Sequence, residues 1–245
     1  MTTPQLEHLR TLHRPGTPLL LVNAWDAGSA RAVAEAGAAA IATSSWAVAA
    51  AQGLPDGEAL AFDELVRVAE AIARSVELPV SVDFEAGYAN TPAEVAANAR
   101  RLRDAGAVGC NLEDRAGDGV RPIGEQTGRI AAVVDAGLFV NARTDLFLQN
   151  TGDAHAGLLE QAIERAHAYR HAGAGSFFAP GLADHALVRQ LCTASPLPVN
   201  IMLLDLAIPV APLAALGVAR ISYGPAPYLA AMRELAGQAR VILGT

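Results

Sequence analysis

The chain has 245 residues, 52% of them hydrophobic and only 18% charged, with a formal net charge of −7. That is enough for one large core, and about 250 residues is the usual size of a single α/β barrel. The acidic balance argues against a nucleic-acid partner, no apolar run reaches the ~18 residues of a membrane span, and the polar start from Met1 to Pro15 holds no signal core.

Short β-rich runs alternate with Ala-rich helical stretches along the whole chain. Leu19 to Asn23 is predicted as the first strand and Ala27 to Ala36 as its helix, closed by Gly37. Ala39 to Thr43 is the second strand, followed by a polar loop with Gly53-Leu54-Pro55-Asp56-Gly57 and a helix from Phe62 to Ser75. The third strand is Pro79 to Phe84. Its helix starts after Thr91-Pro92, where Thr91 can cap and Pro92 fits the first turn. Val108 to Glu113 is the fourth strand, with a helix from Glu125 to Ala136. Phe139 to Arg143 is the fifth, with a helix from Ala154 to Ala172. Ser176 to Ala179 and Ala183 to Thr193 form the sixth unit. Pro198 to Met202 and a short helix at Leu213 to Leu216 form the seventh. Ala219 to Tyr223 and Pro225 to Arg240 complete the eighth. Eight alternations with right-handed crossovers predict a single-domain (β/α)8 TIM-type barrel.

Asp83, Glu113 and Arg143 stand 30 residues apart, each at the end of a predicted strand. A step of about 30 residues is one strand-helix unit, so three neighbouring strands carry charges at the C-terminal rim, the catalytic face of such a barrel. Asp83 and Glu85 are two apart on a segment read as extended, which puts both carboxylates on one face. Two adjacent carboxylates need a cation or a proton between them. Oxygen ligands suit Mg²⁺, and Mn²⁺ accepts the same set. Glu113 can complete this acidic shell; the alternative is that the acids cap helices or pair with rim arginines. Arg143 offers a planar fork to a carboxylate or phosphonyl group, or pairs with Glu113. The strand exit Thr43-Ser44-Ser45-Trp46 has small hydroxyls and backbone N–H groups able to hold an oxyanion, and Asp56 is a turn residue or a site residue. His155, His167 and His171 are placed on the solvent face of a helix, Cys110 in the core and Cys192 in helix packing. Two cysteines make neither a disulfide framework nor a zinc site. No dinucleotide loop, P-loop or nucleophile elbow is present.

Together these segments resemble the isocitrate lyase/phosphoenolpyruvate mutase superfamily. The carrying motifs are Asp83-Phe84-Glu85-Ala86-Gly87-Tyr88-Ala89-Asn90, Asn111-Leu112-Glu113-Asp114, Asn141-Ala142-Arg143-Thr144-Asp145, and Ser44-Ser45-Trp46 with Gly53-Leu54-Pro55-Asp56. The resemblance implies a cytoplasmic Mg²⁺-dependent enzyme that binds a small 2-oxo acid and forms a homo-oligomer, a dimer or a tetramer. By residue, it implies Asp83 as the main metal carboxylate, with Glu85 and Glu113 acting mostly through metal-held water. It implies Asp56 near that water, Ser44, Ser45, Trp46 and Asn141 around the substrate, and Arg143 facing the group remote from the metal. Lyases of the superfamily that split isocitrate or methylisocitrate carry a Lys-Lys/Arg-Cys-Gly loop after the fourth strand, whose Cys is the general acid. Here Arg115-Ala116-Gly117-Asp118-Gly119-Val120-Arg121-Pro122 has neither Cys nor Lys. The expected function is therefore carbon–carbon cleavage of a small 2-oxo or 2-hydroxy carboxylic acid through an enolate, best fitted by oxaloacetate decarboxylation, with lyase activity on another 2-hydroxy acid close behind. The alternatives are P–C bond chemistry and a catalytically weak 2-oxo acid-binding barrel.

Overall fold

The computed structural model describes residues 3–244. Strand β1 (Leu19–Leu21) pairs in parallel with β11 (Arg220–Ser222), and β2 (Asn23–Ala24), one residue further on, pairs with β3 (Ile41–Thr43). The ring between them runs through β4 (Val80–Asp83), β5 (Gly109–Glu113), β8 (Phe139–Arg143), β9 (Ser176–Phe178) and β10 (Val199–Met202), parallel throughout. Counting β1 and β2 as one interrupted stave, eight staves close into the expected barrel.

The strands alternate because both faces are buried for different reasons. Outward residues such as Ile41, Val82, Leu112, Val140 and Ile221 join the helix-covered core. The lumen carries Ser81, Asn111, Asn141, Ser176, Asn200 and Arg220, all buried. Arg220 Nη2 donates to Asn111 Oδ1 at 3.1 Å, linking β11 to β5 across the barrel. Asn111, Asn141, Ser176, Asn200 and one Arg220 amino group find partners in this lumen, while Ser81 Oγ and Arg220 Nε and Nη1 have none among the described residues.

Beneath it lies an apolar floor that the sequence reading missed. The polar start folds as α1 (Pro4–Thr11), capped by Thr3, and buries Leu6 and Leu9 against Leu19, Leu21, Ala42, Val108 and Phe139. A Cβ on Gly109 would stand 2.8 Å from Leu9 Cδ2 and 3.2 Å from the Phe139 carbonyl oxygen, so a larger residue here would force the buried Leu9 to shift. Two buried leucines in eight residues gave too short an apolar period to announce a helix. Ser45–Ala51, read as loop, is α3, capped by Ser44. The short helix expected at Leu213 to Leu216 is α9, Val210–Ala214. The segment after β5 is a small hairpin of β6 (Arg115–Ala116) and β7 (Gly119–Val120). His155 is buried rather than on the solvent face, its Nε2 2.9 Å from the Phe147 carbonyl oxygen, whereas His167 and His171 are exposed and Cys110 is in the core. No helix among the described residues is long and apolar enough to cross a membrane.

His13, just past α1, donates from Nδ1 to the Leu9 carbonyl at 2.8 Å and packs on the Phe139 ring. Burial, with the nearby Arg220 charge, pushes its pKa down from 6.5 to about 3. The unfolded chain takes up a proton near 6.5 while folded His13 stays neutral, so this group's contribution is lost as pH falls below 6.5. A His13→Gln variant keeps a donor for Leu9 and removes the titration. Relative to it, the wild type should lose about 2 kcal/mol of unfolding free energy between pH 7 and pH 5, read from urea midpoints of both proteins at both pH values.

Candidate active site

Asp83 closes β4 at the C-terminal rim. Its backbone N–H donates to Thr43 Oγ1 at 2.8 Å; its Oδ2 accepts the Ser45 N–H at 3.0 Å, and its Oδ1 accepts from Asn111 Nδ2 at 3.4 Å. Asn111 Oδ1 in turn accepts from Asn141 Nδ2 at 2.8 Å and from Arg220, and Ser176 Oγ donates to Asn141 Oδ1 at 2.6 Å. The lumen thus orients the Asp83 carboxylate from below. Asn141, implied as a substrate contact, lies in this deeper layer and lines neither cavity described below. The Ser45 N–H is spent on Asp83, which leaves the Trp46 N–H in the first turn of α3 to meet an oxyanion.

Glu85 does not share a strand face with Asp83. The strand ends at Asp83, and Glu85 has φ 49°, in the left-handed region. The turn sends its carboxylate sideways, where Oε2 accepts the Glu58 N–H at 2.6 Å and Oε1 accepts from the Tyr88 hydroxyl. Glu58 returns the contact, accepting the Tyr88 N–H at 2.7 Å. Three non-glycine residues with positive φ, Glu58, Glu85 and Tyr88, therefore brace one another. Glu58 was absent from the sequence reading. Its one signal is a carboxylate in the Gly-Leu-Pro-Asp-Gly loop.

Glu113 ends β5 and Arg143 ends β8, in direct register. Arg143 Nη1 is 3.0 Å from Glu113 Oε2, and its Nε and Nη2 grip Asp145 at 2.6 and 3.1 Å. The ion pair anticipated for Arg143 is present, and Asp145 makes it a triad. Burial opposes the Arg143 charge, but Glu113 and Asp145 outweigh it and hold the guanidinium ionised.

The acids are held protonatable by their surroundings. Burial, with Asp83 and Asp56 adding to it, pushes Glu85 up to about 7 against the Tyr88 and Glu58 hydrogen bonds. Burial pushes Glu113 up to about 8 although Arg143 opposes it. Asp56 is raised by burial and by Asp83. This excess of carboxylate, all-oxygen and short of counter-charge, fits a hard divalent cation. Among the described residues no group of three or more His, Cys, Asp or Glu side chains is placed to hold a metal ion together, so protein ligands alone would not complete a shell.

Two cavities open here. One of about 190 Å³ is lined by Ser44, Ser45, Trp46, Asp56, Asp83 and Arg143, with Asn111 at its base. The other, about 440 Å³, takes in Glu58, Glu85, Glu113 and Asp118 beneath the β6–β7 hairpin; Asp56 borders both. Asp83 thus faces the first cavity, and Glu85 and Glu113 the second.

A profile described as phosphoenolpyruvate phosphomutase matches residues 9–243. A Burkholderia cenocepacia J2315 structure whose phosphonomutase name is provisional is 47% identical, superposes with a TM-score of 0.93 and covers 98% of each chain. The 2-methylisocitrate lyase of Escherichia coli K12 is 32% identical over 213 residues, 77% of this chain and 70% of that one. The oxaloacetate decarboxylase of Rhodopseudomonas palustris BisB18 is 31% identical over 154 residues, 60% of this chain and 52% of that one. With the barrel closed and the acids and Arg143 gathered at its C-terminal rim, the chain belongs to the phosphoenolpyruvate phosphomutase family, within the isocitrate lyase/phosphoenolpyruvate mutase superfamily of lyases and mutases.

Proposed function

We propose that the protein is a divalent-metal-dependent carbon–carbon lyase that works through the enolate of a small 2-oxo acid, with oxaloacetate decarboxylation as its reaction. The observation that carries this reading is the makeup of the smaller cavity. Among the described residues it is lined by no histidine, cysteine, lysine or tyrosine. A lyase that cleaves a 2-hydroxy tricarboxylate needs a base for the hydroxyl proton and a separate acid for the departing carbanion, whereas Asp56 is the one carboxyl of this cavity held toward its protonated form. Decarboxylation needs no acid at the leaving group, because C4 departs as neutral CO₂.

Asp83 would hold Mg²⁺ or Mn²⁺ in the smaller cavity, with Glu85 and Glu113 acting through water from the adjoining one, and the ion when bound supplies Lewis-acid stabilisation of charge on the 2-oxo oxygen. The Trp46 N–H is the backbone donor placed for the same developing charge. Arg143 keeps unbonded N–H groups after gripping Glu113 and Asp145, and these can orient the C4 carboxylate. As the C3–C4 bond breaks, its electron pair moves into the enolate, C4 leaves as CO₂, and C3 takes one proton. Asp56, which lines this cavity and whose carboxyl burial and Asp83 raise above the usual range, would return that proton directly or through water. The expected result is metal-dependent pyruvate release from oxaloacetate above the metal-only background, with no product from isocitrate or methylisocitrate. A folded protein silent on oxaloacetate at every metal concentration ends this reading.

The protein is also proposed to act as a homo-oligomer. Helix α10 (Ala226–Leu243) leaves Leu229, Met232, Leu235, Val241 and Ile242 exposed, and a groove of about 680 Å³ lined by Leu12, Leu20, Val22 and Val33 lies open on the outer face of β1. Both call for cover of the kind an obligate interface provides.

A further inference from the structure

The smaller cavity is asymmetric. Around the ring of eight staves, β4 and β10 are diametrically opposed, so a ligand held at Asp83 points its remainder toward β9 and β10. That side is apolar: Phe178 ends β9 and Pro180 lies just past it, Met202 ends β10, and Leu204 follows it, with Leu148 from the loop after β8 beside them. Leu148 and Leu204 are exposed at the mouth, 44% and 60%, an arrangement that costs free energy unless something apolar covers them. Met202 lines the cavity with its sulfur packed close over Gly224, where a Cβ would stand only 2.8 Å away. The single cation lining this cavity among the described residues is Arg143, already committed to Glu113 and Asp145. The other direction is no better for an anion, because the adjoining cavity sets Asp56, Glu58, Glu85, Glu113 and Asp118 against Arg115 and Arg121.

We propose that the substrate carries a short alkyl branch on the carbon next to its 2-oxo group and sends no charged group to the wall formed by Phe178, Met202 and Leu204. This rests on the 2-oxo acid reading above and narrows it to 3-alkyl 2-oxo acids, with one carboxylate at most for Arg143. A phosphonyl dianion or a third carboxylate would lose its hydration against this wall without gaining a partner.

The test holds the head group constant and varies the tail. Pyruvate, 2-oxobutanoate, 3-methyl-2-oxobutanoate, 2-oxoglutarate and phosphonopyruvate are titrated into the protein with Mg²⁺ by calorimetry. Affinity should rise about fourfold per added methyl or methylene along the first three and should fall for the two anionic tails. In Met202→Gln, similar in size but polar, the alkyl increments should shrink while pyruvate binding holds. In turnover, 3-methyloxaloacetate should exceed oxaloacetate in kcat/KM. Tighter binding of 2-oxoglutarate or phosphonopyruvate than of 3-methyl-2-oxobutanoate overturns the inference and leaves the enolate chemistry standing. Loss of Mg²⁺-dependent binding across the whole series, pyruvate included, overturns the 2-oxo acid reading and this inference with it.

Discussion

Asp83→Ala is expected to lose Mg²⁺ binding and to drop kcat/KM for oxaloacetate by at least about a thousandfold, while the barrel stays folded. Asp83 faces the smaller cavity beside the strand exit, as Asp56 also does, and is oriented from three sides, by Ser45, Asn111 and, through its backbone, Thr43. Lewis-acid stabilisation of the enolate is worth several kcal/mol, and each 1.36 kcal/mol is a decade in rate, so losing about 4 kcal/mol gives three decades. Stability is set by opposing terms. The Ser45 N–H and Asn111 amide lose an acceptor, at about 1–3 kcal/mol, but Glu85, Glu113 and Asp56 lose a repulsive neighbour. Asp83→Asn keeps an acceptor for the Ser45 N–H and removes the charge. If it binds Mg²⁺ and turns over like the wild type, the metal assignment is wrong. Calorimetric Mg²⁺ titration and circular dichroism on both variants separate lost binding from lost fold.

The largest effect on stability is expected from Asp114→Ala, one residue past Glu113. Asp114 is fully buried: Oδ2 accepts from Arg165 Nη1 at 3.0 Å and from the Tyr169 hydroxyl at 2.8 Å, and Oδ1 accepts the Asp145 N–H at 2.9 Å. Removing it strands a buried guanidinium, which costs about 3–5 kcal/mol. At about 2–4 °C per kcal/mol for a chain of this size, the melting temperature should fall by roughly 10 °C. Arg165→Met added to Asp114→Ala should recover part of the loss, because the uncompensated charge goes with it. Asp145 is anchored by Asp114 and in turn holds Arg143, so the single variant should also weaken oxaloacetate binding. A melting temperature unchanged within error would mean that the network is not what locks α7 (His155–His171) to the rim of the barrel.

These residues show what a single sequence reveals. Asp83, Glu113 and Arg143 were legible because the strand-helix unit repeats at nearly constant length, so equal spacing puts each at a strand end, although in register Asp83 pairs with Asn111 and only Glu113 and Arg143 lie level. The eight strands were legible for the same reason, with ends shifted by one or two residues. Glu85 was placed on the correct strand end but with the wrong orientation, because the two-residue period holds only while the chain stays extended and the backbone turns left-handed at Glu85. Glu58 was invisible: its partners Glu85 and Tyr88 lie about 30 residues away, and no local period links a loop to the next strand's turn. Arg220 carried an unused signal, a charge inside a strand expected to be buried. Its pKa is pushed down by burial to about 9, and its partner Asn111 sits on the opposite wall, a pairing only barrel closure makes visible.

The barrel floor bears on the order in which this chain becomes a protein. Leu9 rests on Val108 and Phe139, and Leu19 pairs with Arg220, so α1 and β1 find their partners only when segments about 100 to 200 residues further along are in place. Such distant pairings delay their reward until the loop-closure entropy has been met. This segment is thus among the last to settle, and the ring leaves the strand edge of β1 unpaired until β11 arrives.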